Sequence, residues 1–196
     1  MIELGLPGAR VLFTARAEGD VRADPQIAQR LAGRPLALGR QVHGAVVRIV
    51  TAPEPPVDEA DGQATAREDV APTVLVADCL PIALAGDGVV AMLHGGWRGL
   101  AAGIVEEGMR ITGASHAAIG PGARACCYEV GEEVHAAFGT SGRTLDLAAI
   151  AVERLRAAGV GEIADTGVCT ICDERFFSHR REGEAAGRQA GIAWRA

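Results

Sequence analysis

The sequence predicts a layered α/β domain with a mixed β-sheet, running over residues 1–196 as a single unit. Three observations predict it. Short apolar runs of strand length, TVLVAD (73–78), PIALAG (81–86) and VVAMLH (89–94), alternate with stretches of helical periodicity. Asp87-Gly88, between the last two runs, is a strong two-residue hairpin signal and puts antiparallel neighbours into the sheet. The chain of 196 residues, 48% hydrophobic and 22% charged, is long enough for one proper core without covalent staples.

From the amino terminus, RVLFTAR (10–16) alternates as a first strand. Asp24 and Pro25 open a short helix over Gln26 to Leu31, the aspartate as N-cap and the proline in the first turn. Leu36 to Val50 is apolar and β-branched, and Gly44 in its middle predicts two strand pieces around a bend. APEPPVDEADG (52–62), with three prolines and four acids, reads as a surface loop inside the domain. After the hairpin, Leu100, Ile104, Gly108 and Ile111 share one face of a helix over residues 99–112. His116 to Ile119 is a short strand, and Glu129 to Phe138 is helical. Asp146 caps a helix with the apolar face Leu147, Ile150, Ala151, Leu155 and Ala158. Ile163 to Cys169 and Gln189 to Trp194 supply closing strands around the arginine-rich FFSHRREGEAAGR.

The composition excludes several classes of function. A net charge of −6 argues against a nucleic-acid surface, which needs a basic excess. No apolar run approaches the ~20 residues of a membrane span. The start MIELGLPGARV lacks a basic head followed by an apolar core, so no signal peptide is expected. Five cysteines, two of them adjacent, suit a reducing compartment better than a disulfide framework, and the cytoplasm is the expected location.

Three residues stand out for chemistry. His94 opens HGGWRGL at the end of a buried run, where two glycines let a ligand approach the backbone. His43 sits in QVHG, and Cys79 follows Asp78 in ADCLPI, just before Pro81. Each alone reads as an ordinary core or surface residue. Together, two imidazoles and a thiolate are ligands that zinc prefers, and three protein ligands with an open fourth position is the pattern of a catalytic zinc. Their wide separation in the chain is not itself a chelate signature.

CTIC (169–172) is a true CxxC, but a four-cysteine zinc needs a second such pair and the adjacent Cys126 and Cys127 lack the two-residue spacer, so CxxC reads as incidental. Cys127 is a rival nucleophile, or a buried thiol. Arg98, Arg175, Arg180, Arg181 and Arg188 lie near glycines or aromatics and suit a phosphate as well as they suit solvent. Gly95 and Gly96, ahead of a helix start, offer backbone N–H groups to an anion. Trp97, Phe176-Phe177 and Tyr128 read first as packing, and Trp97 also as an aromatic that stacks on a flat base.

QVHG, ADGQAT, ADCLPI, HGGWRGL, IGPGARACCYEVGEEV, LDL, FFSHRR and GRQAGIAW, in that order, resemble the YfiH family, long labelled laccase-domain or polyphenol-oxidase proteins and described as purine nucleoside phosphorylases. The resemblance covers nearly the whole chain from Arg10 onward. It implies a three-layer α/β/α domain with a mixed sheet, and His43, Cys79 and His94 as ligands of a metal, usually zinc. Cys127 in CCYEV matches the family's other site cysteine and joins the three as catalytic by resemblance. The implied activity is phosphorolysis of adenosine, inosine, guanosine and methylthioadenosine, with some adenosine deamination. The implied partners are a purine nucleoside and phosphate, with no nucleic acid and no membrane.

The amino-terminal part departs from the family pattern: TARAEGD is a shortened loop, and Gln29-Arg30 stands where Asn-Arg is usual. Arg30 aligns with the family's phosphate-contacting arginine, and Arg98 is a second anion contact. His179 stands where tyrosine is common. Asp78 and Cys127 are the two residues considered as proton donors to the leaving base. Three other readings stay open. A copper oxidase would bind copper(II) on the same three ligands, although five histidines without an HxH pair are too few for a multicopper centre. A metal-free cysteine hydrolase would use Cys79 as nucleophile and His94 as base. A non-catalytic protein would bind nucleoside without releasing the base.

Overall fold

The computed structural model describes residues 1–53 and 58–196; part of the proline-rich loop expected at 52–62, residues 54–57, lies outside the described residues. The chain begins with a strand that periodicity at residue 10 did not reveal. β1 (Ile2–Leu6) folds back on β2 (Ala9–Phe13) across Pro7-Gly8, where Gly8 takes a φ of 70° that a side chain would resist. The helix expected after Asp24-Pro25 is α1 (Gln26–Ala32); the Asp24 carboxylate accepts the Gln26 amide, and Gly33 ends the helix in the left-handed region. β3 (Leu36–Ala37) and β4 (Val47–Ile49) are the two pieces expected around Gly44.

β5 (Gly62–Thr65), β6 (Ala71–Val76), β7 (Leu80–Ala85) and β8 (Val90–Gly95) follow. β7 and β8 pair antiparallel around Asp87-Gly88, as the dipeptide predicts. The single helix expected over 99–112 is instead α2 (Trp97–Ala101) and α3 (Ile104–Thr112). Gly103, at a φ of 93°, interrupts the α-helical backbone between them. β9 (His116–Ile119), α4 (Glu132–Phe138), α5 (Leu147–Ala157), β10 (Glu162–Asp165), α6 (His179–Glu182) and β11 (Gln189–Arg195) complete the chain. Asp146 caps α5 as expected, accepting the Ala149 amide at 2.9 Å.

Among the described residues the strands form two mixed sheets, in the orders β1-β2-β11-β6-β3 and β10-β9-β7-β8-β5-β4. The α/β class and its mixed pairing are as expected, with the strand layer doubled. Val11, Phe13, Val74 and Val76 of the first sheet pack on Ala83, Met92 and Ala118 of the second. α1 covers the other face of the first sheet through Ala28 and Ala32, beside Leu12, Ile192 and Trp194. α3 and α5 cover the second through Ile104, Val105, Ala151 and Leu155 on Leu84 and Leu93. Gly108 allows α3 to lie close, since a Cβ there would stand 2.8 Å from Leu84 and Leu93. No helix among the described residues is long and apolar enough to cross a membrane.

The chain passes from the first sheet to the second between β6 and β7, and that crossing is Ala77-Asp78-Cys79. The β7–β8 register sets Pro81 opposite His94 and Leu80 opposite Gly95. The β5–β8 register sets Gly62 opposite Leu93, so Asp61 arrives beside His94, whose amide donates to the Asp61 carbonyl at 2.7 Å. Strand pairing thus gathers residues from three separate segments at one end of the sheets.

Candidate metal centre and its cleft

His43, Cys79 and His94 come together there, with their ligand atoms within 4.8 Å of one another. The two imidazole rings meet edge to face, with centroids 4.8 Å apart. Among the described residues, the non-glycine positions with positive φ are His43 (61°) and Asp78 (86°), and both belong to this corner. Such backbone is costly for a side-chain-bearing residue and persists where surrounding structure enforces it. Gly96 leaves the centre room: a Cβ there would lie 3.1 Å from both the Cys79 sulfur and the His43 ring. Gly99 lets α2 approach the His43 bend, where a Cβ would stand 2.7 Å from the Gly44 carbonyl. The Gly96 amide donates to the His94 carbonyl, so it already has a partner within the turn.

What enforces the His43 bend is Asp61. Its fully buried carboxylate accepts the amides of Val42 (3.0 Å), His43 (2.9 Å) and Gly44 (2.8 Å), and meets His94 Nδ1 at 2.7 Å. One carboxylate therefore sets the backbone of one histidine and the ring of the other. With Nδ1 engaged, the His94 ring keeps Nε2 for a ligand bond, the usual carboxylate–histidine support of a metal site. Burial alone would raise the Asp61 pKa, but the His94 ring and the amides of Val42 and Gly44 hold it below the ordinary carboxylate value. Asp61 is hidden in the sequence among the prolines and acids of the 52–62 loop; its one signal there is its position in ADGQAT, just before a strand.

The electrostatics of the pair Cys79 and His94 follow. Burial opposes charge on both, yet the charge of His94 and hydrogen bonds from His43 and His94 draw Cys79 down to about 6. The Cys79 charge and the Asp61 contact push His94 up to about 9. Without a metal the geometry favours thiolate and imidazolium, and the thiolate is the form that binds metal.

The centre opens into a cleft of about 700 Å³, within the usual size range of small-molecule sites. Arg22, Arg40, Arg98, Arg180 and Arg188 line it, together with Trp97, Tyr128 and His179. Arg98 lies over the Trp97 ring at 4.4 Å, and Arg180 over Tyr128 at 4.8 Å. Burial and the charge of Arg22 both hold the Arg188 pKa down, as expected for two neighbouring cations. Tyr128 is buried; that burial and the nearby Cys79 charge keep its hydroxyl protonated.

Two residues expected at the site lie elsewhere. Arg30 is exposed on α1, 3.6 Å from Asp24, and does not line the cleft; Arg22 and Arg188 do. Cys127 faces a second cluster with Cys126, Cys169 and Cys172. CxxC is therefore not isolated, because folding brings the adjacent pair to it. The Asp78 carboxylate is engaged within the fold: it accepts Thr170 Oγ1 (2.7 Å), Ser178 Oγ (3.1 Å) and the Arg180 amide (2.7 Å).

Residues 17–196 match the family described as multi-copper polyphenol oxidoreductase laccase. The fold is similar to that of a Neisseria meningitidis protein, with a TM-score of 0.90 and 29% identity over 99% of this chain and 98% of that one. It is also similar to the YfiH protein of Bacillus licheniformis, with a TM-score of 0.83 and 21% identity over 96% and 93% of the two chains, a likeness of fold. The chain belongs to the YfiH family. Within this family, a purine nucleoside phosphorylase of Streptomyces coelicolor is 39% identical over 176 residues, covering 79% of this chain and 72% of that one.

Proposed function

We propose that this YfiH-family chain is a zinc-dependent purine nucleoside phosphorylase acting on adenosine, inosine, guanosine and S-methyl-5′-thioadenosine. In the reaction the bond between the ribose anomeric carbon and the purine nitrogen breaks, and a phosphate oxygen bonds to that carbon. The electron pair, with a proton, leaves on the base. The observation that carries the reading is one cleft holding a cluster of two histidines and a cysteine beside paired arginines and aromatic rings. Similarity to relatives named purine nucleoside phosphorylase supports it.

The residues fit a metal: two imidazoles and a low-pKa thiol with mutually close ligand atoms, a buried carboxylate behind one ring, and a glycine where a side chain would intrude. His43, Cys79 and His94 would hold it. Bound zinc supplies a fixed positive charge that polarises an oxygen ligand. Arg22 and Arg188 bind and orient the phosphate, a contribution that in such displacements comes from alignment as much as from charge. Trp97 and Tyr128, each with an arginine over one face, offer their remaining ring surface to the purine, and the protonated Tyr128 hydroxyl is a hydrogen-bond donor at that wall. The same centre supports adenosine deamination as a side activity.

A copper oxidase is less well supported. Among the described residues, His116 pairs with Ser115 and His135 with Thr140, neither lining the cleft, and His179, which does line it, is bonded to the Gly183 carbonyl. A multicopper centre needs more imidazoles on one site. Incubation with inosine and phosphate, followed by chromatography, tests the proposal. Hypoxanthine and ribose 1-phosphate are the expected products, absent with His94→Ala. Equal product from that variant, or none from the wild type, overturns it. Metal analysis of protein produced without added copper decides between zinc and copper, and conversion of adenosine to inosine reads the side activity.

A further inference from the structure

The chain carries a second group of metal-ligating side chains that the proposed reaction does not use. Cys126, Cys127, Cys169 and Cys172 have all four sulfurs within 4.8 Å of one another. We propose that these four cysteines form a second, structural zinc site that clips together the two loops behind the cleft. Tetrahedral zinc with four thiolates requires sulfurs about 3.8 Å apart; Cys126 and Cys172 stand 3.6 Å apart.

The rival is a disulfide between Cys127 and Cys172, whose sulfurs are in bonding contact. Two observations favour the metal. The Cα atoms of that pair are 7.1 Å apart, beyond the usual disulfide span of roughly 4.4–6.8 Å. A disulfide would also leave two further thiols crowded against it with no role, whereas a metal uses all four.

The backbone presents both pairs on tight turns. The Cys127 and Tyr128 amides donate to the Arg124 carbonyl, and the Asp173 amide closes back on the Cys169 carbonyl at 3.0 Å across CTIC. Cys169 bridges to Gly122, so the loops already lie side by side. Arg124 donates to the Val168 and Gly120 carbonyls, and Arg181 to the carbonyls of Thr170 and Ile171. Four protein ligands leave no open position, which is the pattern of a structural metal.

The clip acts on the cleft through its neighbours in the chain. Tyr128, which lines the cleft, follows Cys127 directly. Thr170, between Cys169 and Cys172, donates to Asp78, the residue before Cys79. Zinc at the four cysteines thereby holds one wall of the cleft and one shoulder of the Cys79 turn.

Metal content of the full chain, purified under reductant with zinc and no chelator, tests this. The wild type is expected to hold two zinc ions per chain. The double variant His43→Ala, His94→Ala should keep one, and its cobalt derivative should show intense thiolate-to-cobalt charge transfer with tetrahedral bands. The double variant Cys169→Ser, Cys172→Ser should lose one zinc and melt at lower temperature. If that variant does not fold, the histidine variant carries the test alone. A histidine variant that folds yet binds neither zinc nor cobalt overturns the proposal. So does a Cys127–Cys172 disulfide found by mass spectrometry of alkylated protein purified under reductant. Neither result depends on phosphorolysis.

Discussion

The two sulfur-containing clusters are built differently. His43, Cys79 and His94 come from three segments brought together by strand register, with Cys79 and His94 on or beside β7 and β8 and a buried carboxylate beneath them. The four cysteines come from two loops, two of them are exposed, and arginine contacts to backbone carbonyls brace them. As metal ligands, the three over the cleft would leave a position free for chemistry, and the four on loops would suit holding the loops. The comparison teaches that ligand number and support, more than the presence of thiols, separate a reactive centre from a staple.

The largest expected effect is at Asp61. Replacing Asp61 with asparagine removes the charge that anchors three amides and the His94 ring. Metal affinity at the histidine centre should fall about 10–100-fold, and stability by about 3 kcal/mol. Competition with a zinc-binding dye and denaturant melts would measure both. If the affinity is unchanged, the support described for this cluster is illusory.

Next in size is the phosphate side. Arg188→Ala should raise KM for phosphate about tenfold, consistent with losing one charged hydrogen bond, while KM for inosine stays within about twofold. Arg30→Ala, away from the cleft, should leave both unchanged. A reversed order of the two arginines would return Arg30 to the role expected from resemblance.

The thiols give a sharper contrast. In metal-free protein, alkylation of Cys79 should turn on near pH 6, because the His94 charge lowers its pKa from the ordinary 9.0. The sign is that of a stabilised thiolate: reactive above that pH and protected below it. Burial pulls Cys126 the other way, helped by the adjacent Cys169 sulfur, so it should react above pH 9. His94→Ala should move the Cys79 midpoint upward and leave Cys126 where it was. Mass spectrometry of labelled peptides across pH reads both residues at once.

The smallest effect is expected at a residue that belongs to neither cluster. Asp146→Ala removes the cap of α5 and should cost about 1 kcal/mol in denaturant unfolding, with metal content and kinetics unchanged.

Much of this was legible locally. Asp87-Gly88 announced its hairpin, Asp146 its helix, and the apolar runs their strands, because turn chemistry and burial period are written within a few residues. The glycines of HGGWRGL predicted a strand end that a ligand can approach; what Gly96 leaves in the structure is room for Cys79 and His43. Gly103, read as one position in a continuous helix, instead breaks it, since periodicity does not report the sign of φ.

What the sequence by itself determined is the inventory: an α/β alternation, a mixed pairing, and two histidines and a cysteine at strand ends and turns. Tertiary structure alone decided which residues meet. It divided the strands between two sheets, put one carboxylate under four donors, lined the cleft with Arg22 and Arg188 and left Arg30 outside it, and joined an adjacent cysteine pair to a distant CxxC. The physical reason is that each of these contacts depends on the register between segments far apart in the chain. Register is set by packing of whole faces rather than by any local pattern.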